Sequence, residues 1–127
     1  MLLNLLQAKL HRVRVTQADL NYEGSCGIDD NLLRASGLRV NQHIEIYNVS
    51  NGERFSTYII GAPAGSGEIS LNGAAARKAM IGDHLIICAY SAYSEIEAQH
   101  HQPVVILVDE HNQPRTGAHG HQLQQLG

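Results

Sequence analysis

The 127-residue sequence has no tryptophan, one phenylalanine and only two cysteines, Cys26 and Cys88. Two cysteines cannot build a disulfide framework and are too few for a four-thiolate zinc site. So few aromatic rings leave little surface for stacking bases, and a net charge of -3 argues against a polyanionic partner. No apolar run reaches the roughly 20 residues that a membrane span needs. We therefore expect a soluble cytoplasmic protein that binds neither nucleic acid nor membrane.

The sequence is rich in short apolar segments that are separated by turns, as in a mainly β protein. Its length fits one domain, with no room for a separate cofactor domain. The dipeptide Asn51-Gly52 favours a hairpin between two strands because both residues tolerate a positive φ. The predicted strands cover residues 11–16, 43–49, 53–60, 68–71, 84–90 and 104–108. The last is continuously apolar, which predicts burial on both faces.

Helices are few and short in this prediction. Asp29 and Asp30 can cap a helix over residues 32–36, and Gly37 can end it in a left-handed conformation. Ser94 and Glu97 have the spacing of a capping box, and residues 72–80 favour a small-residue helical turn. Residues 21–27 read as a tight turn. The expected fold is a small β-barrel over residues 1–110, followed by a His- and Gln-rich tail, residues 111–127, that is predicted to be disordered.

Three common kinds of functional site fit the sequence poorly. The histidine pairs His100–His101 and His119–His121 lie outside the predicted rigid frame and lack metal-ligand spacing, so we predict no metal site. The glycine-rich residues 61–67 lack the Lys-Ser/Thr end of a phosphate loop and read as a plain loop. A serine-hydrolase elbow needs glycine where Glu23 stands.

The dipeptide Gly24-Ser25 allows a different chemistry. A serine hydroxyl in a strained turn can attack the preceding carbonyl, and glycine leaves that carbonyl open to approach. The resulting ester can lose its acyl group by β-elimination, and hydrolysis of the dehydroalanine then leaves a pyruvoyl group. The dipeptide alone is a weak signal, since Gly65-Ser66 repeats it.

Several segments nevertheless resemble the pyruvoyl-dependent aspartate 1-decarboxylase family. They occur in the same order, and they are residues 6–12, 22–26, 51–58, 72–76 and 82–83. The resemblance implies a double-psi β-barrel that cleaves itself between Gly24 and Ser25 into chains 1–24 and 25–127. It also implies a homotetramer with active sites between subunits, with or without a maturation factor. The implied reaction converts L-aspartate to β-alanine and CO2, for pantothenate synthesis, through a Schiff base with the pyruvoyl group from Ser25.

The resemblance also assigns roles to individual residues. Tyr58 matches the proton donor, and Tyr22 lies beside the cleavage point. The residues that match substrate contacts are Lys9, Arg54, Thr57, Asn72, Gly73, Ala74 and Ala75. Arg54 is four residues before Tyr58, so strand periodicity puts both on one face, where Arg54 can pair a carboxylate. Thr57 would face the other way, which predicts a bulge near Ser56 if Thr57 is to reach the Gly24 carbonyl.

Two alternatives stay open at this point. The chain could be a β-barrel that binds or assembles without ever being cleaved. It could also carry out the same chemistry on glutamate, because Arg54 and the 73–75 segment indicate an acidic side chain without fixing its length.

Overall fold

The computed structural model describes residues 1–115, which form eight strands and three short helices around one core. The strands are β1 Leu2–Arg14, β2 Gln17–Asp19, β3 Ser25–Asp29, β4 His43–Asn48, β5 Arg54–Ala62, β6 Ile69–Asn72, β7 His84–Ser94 and β8 Val104–Leu107. The helices are α1 Asp30–Ser36, the 3-10 helix Gly73–Lys78 and α2 Glu95–His100. No helix within residues 1–115 has the length and apolar character to cross a membrane.

The strands form a single sheet in the order β2-β6-β3-β5-β4-β7-β1-β8. The sheet is mixed: it has parallel pairs, such as β3 with β5 and β1 with β8, and antiparallel pairs, such as β3 with β6 and β4 with β5. The sheet curves around a core of aliphatic side chains that includes Leu10, Ile28, Ile46 and Ile87, all fully buried. The mainly β, barrel-like fold expected from the sequence is confirmed.

Local sequence signals for helix ends are confirmed. The carboxylate of Asp29 accepts a hydrogen bond from the Asn31 amide at the start of α1, and Gly37 ends that helix at φ 78°. Ser94 and Glu97 form both hydrogen bonds of a capping box at the start of α2. Gly52 has φ 80°, although the hairpin loop is five residues long because β4 ends at Asn48 and β5 begins at Arg54.

Three element boundaries differ from the sequence prediction. The turn predicted over residues 21–27 ends at Gly24, because Ser25 starts β3 and pairs with β6. Strand β1 begins at Leu2, since its whole length pairs with β7. Strand β8 pairs only with β1 at the edge of the sheet and ends at Leu107, one residue before the predicted end. Val105 and Ile106, which point to opposite faces of the strand, are both buried, as its apolar run predicts.

The segment after β8 belongs to the folded domain as far as residue 115. Asn112 is buried, and its side chain donates to the carbonyl oxygens of Arg14 and Gly67. Gln113 donates to the carboxylate of Asp29. The sequence predicts that the domain ends at residue 110, but residues 111–115 also belong to it. The rest of the predicted tail lies outside the described residues.

Candidate active site

Ser25 is the first residue of β3, and its side chain is buried. The side-chain amide of Asn72, Nδ2, donates a hydrogen bond of 3.0 Å to Ser25 Oγ. Ser25 Oγ in turn donates to the carbonyl oxygen of Glu23 at 3.3 Å. These two partners hold the hydroxyl against the backbone of the segment 23–25, which contains the Gly24–Ser25 peptide bond.

The register of three neighbouring strands places Asn72, Ser25 and Tyr58 side by side. Ser25 pairs directly with Asn72 across the antiparallel β3–β6 contact. On the other side, Cys26 pairs with Ile59 in the parallel β3–β5 contact. One residue earlier on both strands, Ser25 lies level with Tyr58. Neighbouring strands are about 5 Å apart, and level residues point to the same face. The structure thus puts the predicted proton donor beside the predicted cofactor precursor.

Gly73 brings the segment 72–75, which is predicted to contact the substrate, against the predicted cleavage point at Gly24. It adopts φ +67°, and a Cβ added to it would lie 2.8 Å from Gly24 Cα and 2.9 Å from Gly24 N. Only glycine fits this contact without displacing the backbone of the cleavage segment. Ala74 is exposed and Ala75 half-buried at the start of the 3-10 helix, where backbone amides are free of helical partners.

Cys26, the residue after Ser25, does not compete as a nucleophile. Its side chain is fully buried, with Ile59 and Leu71 as level neighbours on the two adjoining strands. Burial, with a smaller contribution from the Glu68 carboxylate, raises the pKa of the Cys26 thiol to about 12. A thiol must ionise to be a strong nucleophile, so at neutral pH the Ser25 hydroxyl is the group poised at this backbone.

Thr57 reaches the level of the cleavage point without the bulge that the sequence predicts. Strands β4 and β5 pair without a register shift from His43–Tyr58 to Tyr47–Arg54, so the bulge near Ser56 is absent. The parallel register of β3 and β5, continued by two residues, makes Thr57 level with Gly24. The strand register alone thus accounts for the level of Thr57, with no kink in its own strand.

Arg54 and Lys9 lie farther from Ser25 in the same chain. Arg54 shares the exposed face of β5 with Tyr58, as the sequence predicts, but four residues separate them, or about 13 Å. Lys9 is half-buried on β1 and lies in one row with Cys88 and Ser56 across the sheet. Four strand spacings, about 19 Å along the sheet, separate β1 from β3. One chain therefore brings Ser25, Asn72, Gly73 and Tyr58 together but leaves Lys9 and Arg54 apart.

Sequence reasoning missed the partners of Arg54. The guanidinium Cζ of Arg54 lies 4.4 Å from the centre of the Tyr47 ring, and the Tyr47 hydroxyl is 3.0 Å from that of Tyr90. The strand periodicity of residues 43–49 could have placed Tyr47 on the same face as residues 43 and 45. Its pairing with Arg54 depends on the hairpin register, and its contact with Tyr90 depends on a strand far along the sequence.

The structure also explains the glycine-rich residues 61–67. The backbone amides of Gly65 and Gly67 donate to the buried carboxylate of Asp29 at 3.0 and 2.8 Å. Those amides are thus occupied by a side chain of the same domain, in agreement with a structural loop. Within residues 1–115, no group of three or more histidine, cysteine or carboxylate side chains has the arrangement of a metal site.

Comparison with known proteins agrees with this arrangement. The family model described as aspartate decarboxylase matches residues 1–115. The aspartate 1-decarboxylase of Bordetella avium is 64% identical over 108 residues, which cover 85% of this chain and 88% of the relative. The enzymes of that name from Cupriavidus necator and Ralstonia pickettii are 65% and 62% identical, covering 85% and 86% of this chain and 90% and 91% of theirs.

The chain belongs to the aspartate decarboxylase family. The resemblance drawn from the segments around Gly24-Ser25, Tyr58 and Gly73 is therefore confirmed. The match to the aspartate decarboxylase family also extends through residues 111–115, which pack onto the barrel through Asn112 and Gln113.

Proposed function

We propose that this chain decarboxylates L-aspartate to β-alanine and CO2 with a pyruvoyl group that it makes from its own Ser25, and that the β-alanine serves pantothenate synthesis. The observation that carries the proposal is the buried Ser25 hydroxyl, held by Asn72 beside the Gly24 carbonyl and level with Tyr58. Membership in the aspartate decarboxylase family supports the choice of substrate.

The residues around Ser25 fit the formation of that group. Ser25 Oγ attacks the carbonyl carbon of Gly24, the C–N bond of the peptide breaks, and the nitrogen takes the hydroxyl proton, so that an ester replaces the amide. Loss of the Ser25 α-proton expels the Gly24 carboxylate and leaves dehydroalanine. Water then replaces the nitrogen, which departs as ammonia, and a carbonyl remains at the new N-terminus. Asn72 donates to Oγ throughout the attack and orients it.

The chain supplies groups for both ends of the substrate. Once formed, the pyruvoyl carbonyl supplies the electrophile that binds the substrate amine and takes up the electron pair left by CO2. No ordinary side chain can take up that electron pair. The hydroxyl of the Tyr58 phenol can donate a proton to the α-carbon. The backbone amides of residues 73–75 and the guanidinium of Arg54 can bind carboxylate oxygens.

We also propose that the active enzyme is a cytoplasmic homotetramer whose active sites lie between subunits. Support comes from the spacing within one chain, in which Arg54 lies four residues along β5 from Tyr58 and Lys9 lies on β1, four strands away from β3. The exposed side chains of Tyr58 and Tyr90, 38% and 41% accessible, lie on β5 and β7, the two strands that flank β4, on the face that carries Arg54. A second copy placed against this face would bring its Ser25 to the two cations.

Intact-mass measurement tests the proposal directly. The expected products are a chain of residues 1–24 and a chain of residues 25–127 whose first residue reacts with a carbonyl label. Ser25→Ala should give one uncleaved chain with no activity, because the attacking hydroxyl is gone. A single uncleaved species of the unsubstituted protein after prolonged incubation, with cell extract supplied, would instead support a non-catalytic binding module.

The choice of substrate is tested with the cleaved protein. Release of CO2 should be faster with L-aspartate than with L-glutamate at equal concentration. Higher turnover of glutamate would contradict the aspartate assignment while leaving the pyruvoyl chemistry in place.

A further inference from the structure

Arg54 is held by an aromatic ring rather than by a carboxylate. Its guanidinium stacks over the ring of Tyr47, its cross-strand partner, at 4.4 Å from the ring centre. Among residues 1–115, no Asp or Glu oxygen lies within 4.0 Å of Arg54. Stacking uses the face of the guanidinium and leaves its N–H groups, which lie in the plane, available for a bidentate carboxylate.

Tyr47 is fixed in turn by Tyr90. The two hydroxyls are 3.0 Å apart, and the strand register shows that the side chains reach toward each other along the sheet. Tyr47 is level with Ile86 on β7, four residues before Tyr90. The two phenol groups therefore meet over the cross-strand pair that lies between them, Glu45 on β4 and Cys88 on β7. The hydrogen bond to Tyr47, together with burial, raises the pKa of Tyr90, so the Tyr90 hydroxyl keeps its proton at neutral pH.

We propose that Tyr90 is a positioning residue that fixes the Tyr47 ring and, through it, the substrate-binding orientation of Arg54. This inference rests on the proposed function, in which Arg54 binds a carboxylate of the substrate. An arginine side chain loses considerable rotamer freedom when it binds a ligand, and a ring that already restricts it reduces that loss. The Tyr47–Tyr90 hydrogen bond serves this purpose by preventing the ring from turning away.

The effect should fall on substrate binding and not on the chemical step. In the proposed function Arg54 binds a carboxylate of the substrate, whereas the proton transfer is carried out by Tyr58. An interaction made equally with substrate and transition state changes KM and leaves kcat unaltered. KM is also independent of the fraction of chains that have been cleaved, so incomplete processing of a variant does not disturb the comparison.

The test uses the cleaved protein with Tyr90→Phe, Tyr47→Phe and the double substitution. Phenylalanine keeps each ring, and with it the stacking of Arg54, but removes the hydroxyl. Each single variant should raise the KM for aspartate about threefold to tenfold, the range that one hydrogen bond of ordinary net strength represents. The double variant should be no worse than either single variant, because both remove the same bond. Tyr93→Phe is the matched control, since Tyr93 lies on the same strand but packs on His101.

A second readout is independent of turnover. Succinate has both carboxylates but no amine to react, and calorimetry gives its dissociation constant, which should rise by the same factor as KM. An unchanged KM in Tyr90→Phe, multiplicative effects in the double variant, or a fall in kcat with unchanged KM would overturn the positioning role. Failure of the unsubstituted cleaved protein to release CO2 from aspartate would instead overturn the proposed function.

Discussion

Replacing Gly73 by alanine should slow self-cleavage much more than it lowers stability. Gly73 has φ +67°, and an added Cβ would lie 2.8 Å from Gly24 Cα and 3.1 Å from the carbonyl oxygen of Tyr22. Ordinary van der Waals contact begins near 3.4 Å. The neighbouring atoms are all backbone, so the new methyl group can be accommodated only if the cleavage segment moves by about 0.6 Å, the shift that restores normal contact.

The size of the effect follows from the geometry of attack. Ser25 Oγ must stay about 3–3.5 Å from the Gly24 carbonyl carbon, and a misplacement near 1 Å costs about a hundredfold in rate. A shift of about half that size should therefore slow cleavage roughly tenfold to a hundredfold. The positive φ adds a cost of about 1–2 kcal/mol to folding, since alanine disfavours the left-handed region. That cost corresponds to a fall in Tm of roughly 4–8 °C.

Gly52→Ala is the matched control. Gly52 has φ +80° but no atom within 4 Å of an added Cβ, so it carries the conformational cost alone. Both variants are purified as precursors, and the rate of cleavage is followed by intact mass while Tm is measured by calorimetry. Similar losses of Tm with slow cleavage only in Gly73→Ala would agree with the structure. If the two variants cleave at equal rates, the contact between Gly73 and Gly24 does not control the reaction.

Two further predictions concern Tyr58 and Asp29. Tyr58→Phe should leave cleavage intact, because the partners of Ser25 Oγ are Asn72 and Glu23. It should lower kcat about a hundredfold or more, as expected for loss of a general acid. Full turnover in this variant would contradict the role of Tyr58 as proton donor. Burial alone would raise the pKa of Asp29, but its hydrogen bonds from Gln113, Asn31 and two glycine amides outweigh burial and lower it. The stability that this lowering provides is present above the unfolded pKa near 4 and is lost as pH falls through the folded pKa. Unfolding by urea should therefore show a smaller loss of stability below pH 4 in Asp29→Asn than in the unsubstituted protein, and parallel curves would refute the linkage.

Features that depend on a few neighbouring residues could be predicted from the sequence. Gly37 ends α1 because its lack of a Cβ permits a left-handed φ, and Ser94 with Glu97 caps α2 through bonds that span three residues. The face shared by Arg54 and Tyr58 follows from the alternation of a strand. In each case the cause lies within one turn or one strand, so the residue types are sufficient evidence.

Features that depend on pairing between distant segments could not be predicted in this way. The burial of Ser25 results from β3 lying between β5 and β6, strands that begin 29 and 44 residues later in the chain. Thr57 lies level with Gly24 because of the same β3–β5 pairing. Since that pairing cannot be known from the sequence, the sequence predicts a bulge to bring Thr57 there. The apolar run of β8 likewise gives no sign that it lies at the edge of the sheet.

The glycines near Ser25 differ in whether the fold or the proposed reaction accounts for them. At Gly73 the fold requires glycine, because both φ and the backbone of Gly24 exclude a side chain. At Gly27 an added Cβ would lie 2.2 Å from Ser70 Oγ and 2.8 Å from Glu68 Oε2, so these two side chains, and not the backbone, would have to move. At Gly24 an added Cβ meets no atom within 4 Å and φ is not in the left-handed region. Neither strain nor space in the folded chain accounts for glycine at this position. What glycine does provide there is a carbonyl carbon with no side chain beside it, and that is what the proposed attack by the Ser25 hydroxyl requires.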